Sequence, residues 1–148
     1  MKYSFTIGVF AVAFFFLPGA LPAAAQVNAK PTSVEYKASP AFAEIRLRKA
    51  ELEAELQAYL LEYTEEYPKV KEIKTSLALL QKESDRLSNA AGGAQRLTLA
   101  LGKLMVRKAE LESEVVRLLE SLQPGHPDVK RAKRKVEIFE AAIKEILG

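Results

Sequence analysis

The chain has 148 residues, with 22 Lys and Arg against 19 Asp and Glu, a single histidine and no cysteine. The lack of cysteine excludes a disulfide framework, a thiolate metal site and lipid attachment through a cysteine. The net charge of +3 is too small to read as a nucleic-acid footprint.

The first residues, MKYSFTIGVFAVAFFFLPGALPAAAQ, place Lys2 before an apolar core over 7–17, a Pro18-Gly19 break and a tail of small side chains. That is the layout of a secretory signal peptide. Ala23 and Ala25 meet the small-x-small requirement of a signal peptidase, which puts the cut after Ala25 and starts the mature chain at Gln26. The alternative is an uncleaved anchor, since the 19 residues from Ile7 to Ala25 approach the roughly 20 that span a bilayer. Loss of Lys2 leaves a net charge of +2, and export argues further against nucleic acid as a partner. Residues 26–39, QVNAKPTSVEYKAS, show no apolar period and read as a flexible tail.

An internal repeat dominates the remainder. The hexapeptide RKAELE occurs at Arg48 to Glu53 and again at Arg107 to Glu112, 59 positions later. The same offset aligns Pro68 with Pro127, Val70 with Val129, Lys71 with Lys130 and Lys74 with Lys133. One gap-free offset over such a distance points to duplication. Within each copy the apolar residues follow a heptad, the period of helices that meet along a narrow seam. Ile45, Leu52, Leu56, Tyr59 and Tyr63 mark it in the first arm, and Val70, Ile73, Leu77, Leu80 and Leu87 in the second. The third arm carries Leu97, Leu101, Leu104, Leu111, Val115, Leu118 and Leu122. The fourth carries Val129, Ala132, Val136, Phe139, Ile143 and Ile146.

Helices are therefore expected over 40–66, 68–89, 94–122 and 127–147. Pro68 and Pro127 lack an N–H and push the preceding residue out of the helical region, so each ends one helix and opens the next. Ser39 before Pro40 is a cap by the same logic. Gly92-Gly93 reads either as a third tight turn or as a bend in a longer helix. The expected fold is all-α: a signal peptide over 1–25, a tail over 26–39, a helical hairpin over 40–89, an Ala/Gly hinge over 90–93 and a second hairpin over 94–148. A lone hairpin of this size is marginal in water, so the two should pack on each other, on another copy or on a partner.

Few residues invite chemistry. His126, in LQPGHPDVKRAK, occupies a capping position before Pro127, with Tyr67 at the matching place in the first repeat. A lone histidine without a second His, a Cys or a nucleophile motif reads as a turn residue, and neither a catalytic constellation nor a cofactor or metal site is expected. Tyr59, Tyr63 and Tyr67 fall four apart on one expected helical stripe, where they cap the hairpin core or, exposed, stack on sugar rings or dock a protein. The run Lys130, Arg131, Lys133, Arg134 and Lys135 fills the positions between seam residues. It reads as a solvated face paired with Glu110, Glu112, Glu114 and Glu120, or as a patch for an anionic glycan or lipid surface. Lys49 and Lys108 lie on the seam itself. Counting back from each corner sets Lys49 near Asp85 and Lys108 near Glu145, in register-fixing pairs or with stems snorkelling to water.

The corner sequences YTEEYPKVKEIKTSLALLQKE and PGHPDVKRAKRKVEIFEAAI resemble the proline corner and following heptads in the periplasmic coiled-coil region of polysaccharide chain-length determinant and exopolysaccharide-export proteins. The likeness spans most of 49–147 and concerns the hairpin element, with no site residues carried over. It implies a helical hairpin working beside polysaccharide export. The resulting expectation is an exported, non-enzymatic scaffold or interaction module of a bacterial envelope, associating with itself, an envelope protein or an anionic glycan or lipid surface. The alternative is a periplasmic holdase-type chaperone with an apolar inner face and a basic rim.

Overall fold

The computed structural model describes residues 33–90 and 93–148. The proposed leader, and residues 26–32 of the proposed tail, lie outside the described residues. All regular structure among the described residues is helical: α1 (Ser33–Lys37), α2 (Pro40–Leu60), α3 (Pro68–Asn89), α4 (Leu99–Leu119) and α5 (Pro127–Leu147). A 3-10 turn, Ala94–Arg96, precedes α4. No helix among them is long and apolar enough to cross a membrane.

The duplication governs the backbone more closely than it governs the sequence. Elements α2 and α4 begin and end 59 residues apart, and so do the starts of α3 and α5. Ser39 and Thr98 cap α2 and α4 from equivalent places, their hydroxyls accepting from the N–H groups of Phe42 and Leu101 at 3.2 Å each. The corners share their hydrogen bonds too. Tyr63 N–H donates to the Tyr59 carbonyl at 2.8 Å, as Leu122 does to Leu118 at 2.9 Å, and Tyr67 donates to Thr64 as His126 does to Gln123.

Each corner is longer than the sequence suggests. Helix α2 ends at Leu60 rather than residue 66, and α4 at Leu119 rather than 122, because the chain uses 61–67 and 120–126 to reverse and to bring Tyr67 and His126 into the extended conformation that proline demands. The third helix begins at Leu99 rather than 94, after the 3-10 turn. Gly93, at φ 77°, adopts a left-handed conformation open to glycine, and α3 and α4 run antiparallel, so the inter-repeat segment is a turn and not a bend. Gly92 lies outside the described residues. The tail also shortens: α1 packs on α2 and α3, with the Tyr36 ring edge-on to Phe42 at 5.2 Å, and Ser39 is buried.

Helices α2, α3 and α4 form a mutually packed triangle, and α5 lies along α4. Helices α2 and α4 run parallel, as shown by Arg48 against Glu110 and Gly102 against Ala41 and Glu44. Both corners therefore lie at the same end of the stack. The core runs through the triangle from Ala41, Ile45 and Leu52 to Ile73, Leu80 and Leu87, and on to Leu97, Leu101, Met105 and Ala109. Each fully buried Leu or Ile there contributes about 1.5–3 kcal/mol. The expected seam residue Leu101 is buried, but α4 is also buried on a second face, Gly102, Met105 and Ala109, that a one-seam reading does not contain. A Cβ on Gly102 would sit 2.8 Å from the Ala41 Cα, so the missing side chain sets how closely α2 and α4 approach.

Candidate functional site

Three features gather the polar and aromatic side chains: the first corner, a buried ionic cluster, and the outer face of α5. At the corner the tyrosines come together by chain reversal and not along a helical stripe, because α2 stops before Tyr63. The Tyr63 and Tyr67 rings stack at 4.2 Å with an interplanar angle of 16°, and Tyr59 lies 5.8 and 6.1 Å from them. Tyr63 and Tyr67 spend one ring face on each other and keep roughly two-fifths of their surface exposed. Tyr67 also lines a groove of about 280 Å³ between α3 and α4, with Lys69, Thr75, Ser113 and Arg117. Beside it Lys71 holds Glu66 at 2.5 Å, and that hydrogen bond and charge lower the Glu66 pKa.

At the second corner His126 is the N-cap of α5, its Nδ1 accepting from the Asp128 N–H at 3.2 Å. Tyr67 makes no such bond. The histidine is thus a turn residue with a capping task, and no group of acidic, histidine or cysteine side chains suited to a metal occurs among the described residues.

The ionic cluster was only half legible. Lys108, 4% exposed, sits at 2.5 Å from Glu83 of α3, 3.1 Å from Glu112 of α4 and 3.5 Å from Glu140 of α5. Arg86 completes it with two hydrogen bonds to Glu140 at 2.8 and 3.1 Å, tying α3 to α5. The α5 partner of Lys108 is Glu140 and not the expected Glu145. Snorkelling is excluded for Lys108 by its burial. Lys49, at the equivalent place, is half-buried and donates to Gln81 at 2.6 Å rather than meeting Asp85, which Gln81 itself holds at 2.7 Å. Burial pushes Lys108 down, but Glu83 and Glu112 outweigh it and leave the pKa raised. Burial pushes Glu140 up, but Arg86 and Lys108 outweigh it and leave the pKa lowered.

The basic run stands on the outer face of α5, with Lys130, Arg131, Lys133, Arg134 and Lys135 all exposed. The expected pairing with α4 does not form. Arg131 holds Asp128, Arg134 holds Glu137 at 2.8 Å, Glu110 is taken by Arg48 and Arg107, and Glu112 by Lys108. Lys130, Lys133 and Lys135 make no ion pair among the described residues. The tyrosines and the basic run thus occupy separate surfaces. Between α3 and the first half of α5 a groove of about 430 Å³ opens over Leu79, Val115, Val116 and Val136, with Lys133 on its rim. Compared with family models, curated proteins and solved structures, the chain matches none.

Proposed function

We propose that this chain is an exported, non-enzymatic helical scaffold of a bacterial envelope, linked to polysaccharide export, and that it engages an anionic glycan through the outer face of α5. The observation that carries this reading is the set of exposed cations on α5, three of them without an internal carboxylate. A linear polyanion meets such a face with many weak, salt-screened contacts, each worth little alone. Retention of the chain on an immobilised acidic polysaccharide is expected to fall steeply with salt, and Lys130→Gln with Lys133→Gln and Lys135→Gln is expected to abolish it. Equal retention of the triple variant would refute the assignment. The corner tyrosines Tyr59, Tyr63 and Tyr67 form the second candidate contact, through the outer faces of their stack.

One observation favours a second reading, a holdase that binds unfolded chains. The groove between α3 and α5 is apolar in its floor, with Lys133, Glu112 and Glu137 as its charged lining. Suppression of client aggregation, lost in Val116→Lys and retained in the α5 triple variant, would replace the glycan reading with this one.

A further inference from the structure

We propose that copies of this chain join head to tail, α2 of one copy seating against α4 and α5 of the next in the way that α4 seats against α2 and α3 within a copy. This rests on the scaffold reading and names its partner as a second copy. The argument is the equivalence of the two repeats. Within the chain, α3 is covered by α4, whose counterpart 59 residues earlier is α2. Helix α5 is the counterpart of α3, and among the described residues no helix lies where the next α4 would. A stack of two hairpins has such an open face at each end.

The residues on the two open faces agree with that placement. On the receiving side, Ala41, Leu80 and Leu87 are buried under α4 or beside it. Their counterparts are Ala100, which is exposed, and Phe139 and Ile146, which are only half-buried, while Leu79 has as counterpart Ile138, 57% exposed. On the inserting side, Gly102, Ala109 and Ser113 of α4 are buried small residues. Their counterparts on α2 are Ala43, Ala50 and Ala54, all exposed and all small. The ion pair between the repeats, Arg48 Nε to Glu110 Oε1 at 3.2 Å, also has its counterpart: Arg107 of one copy facing Glu51 of the next, opposite charges with 57% and 53% of their side-chain surface free.

Three differences make the contact between copies weaker than the one within. Ala43 replaces Gly102, so α2 cannot approach as closely; the fully buried Met105 is replaced by Arg46, an exposed cation held by Glu53; and the buried Lys108–Glu83 pair is replaced by Lys49 and Ala142. The result is a reversible, heterologous contact that does not close on itself, and it yields open rows. At 100° per residue, Lys130 and Lys133 lie off the flank of α5 formed by Ile138, Phe139, Ala142 and Ile146 and stay free in a row, whereas Arg131 and Lys135 fall within that flank and Arg134 at its edge.

Because the chain has no cysteine, single thiols report the geometry directly. Ser76 and Ser113 touch across α3 and α4 with their hydroxyls 2.9 Å apart, and their counterparts across the proposed contact are the exposed residues Lys135 and Ala54. Full chains carrying Ala54→Cys and Lys135→Cys are mixed under mild oxidation. The expected result is a cross-linked dimer in the mixture and in neither variant alone, with a ladder of multimers from the doubly substituted chain. Dimers from one variant alone would overturn the head-to-tail contact while leaving self-association standing. No cross-link, together with a monomer mass by light scattering at every concentration, would overturn the second copy as partner and leave the glycan contact to be judged by its own retention test.

Discussion

Helices α3 and α5 are the same segment of the duplicated unit, yet α3 is gripped between α2 and α4 whereas α5 packs chiefly along α4 and meets α3 through Arg86 and Glu140. Leu80 and Leu87 are buried, and their counterparts Phe139 and Ile146 are not. The lysines divide likewise: Lys108 lies within a ring of carboxylates and Lys49 at the surface beside Gln81. Position in the stack, more than local sequence, decides which copy of a residue becomes core. The first repeat supplies a covered helix, and the second supplies an outward one.

That contrast breaks most sharply at the lysines. Lys108→Met leaves the buried Glu83 with Arg86 alone, at 3.8 Å, so a loss of about 3 kcal/mol is expected in urea unfolding followed by circular dichroism. Lys49→Met is expected to cost under about 1 kcal/mol in the same assay, as its partner is a surface amide. Equal losses would remove the distinction between the repeats. Leu87→Ala is expected to cost about 2–5 kcal/mol and Ile146→Ala roughly half of that, since only Leu87 is fully enclosed.

The pH dependence sharpens the role of the cluster. Glu140 titrates below its ordinary 4.5, because Arg86 and Lys108 outweigh burial, so its contribution is present above that value and is lost as the pH falls through the lower folded one. Lys108 titrates above its ordinary 10.5, so its contribution is present below that value and is lost as the pH rises through the higher one. Stability should be flat between these limits and fall outside them, and Glu140→Gln should flatten the acid limb. A modest effect is expected at the second corner: His126→Ala removes the acceptor for the Asp128 N–H at about 0.5–2 kcal/mol, and His126→Asn restores most of it.

The hairpins were legible because proline, serine caps and heptads each act through a few neighbouring residues. Pro68, Pro127, Ser39 and seam positions such as Val70 and Ile143 lie where their local chemistry sets them. What was not legible depends on distance. Lys108 draws Glu83 from the other hairpin, a pairing 25 residues away that no heptad count contains. Corner length depends on how far the chain must swing before the proline, which local sequence does not contain. The basic run was readable as exposed, but not that Arg48 takes Glu110 and Lys108 takes Glu112, two of the carboxylates expected to pair with it.

Amide hydrogen exchange of α3 and α5, compared at low and high protein concentration, tests the central claim most directly. The account predicts that α3 is strongly protected at both, and that α5 exchanges faster when dilute and gains protection as copies meet. Equal protection of the two helices in dilute solution, unchanged by concentration, would contradict it.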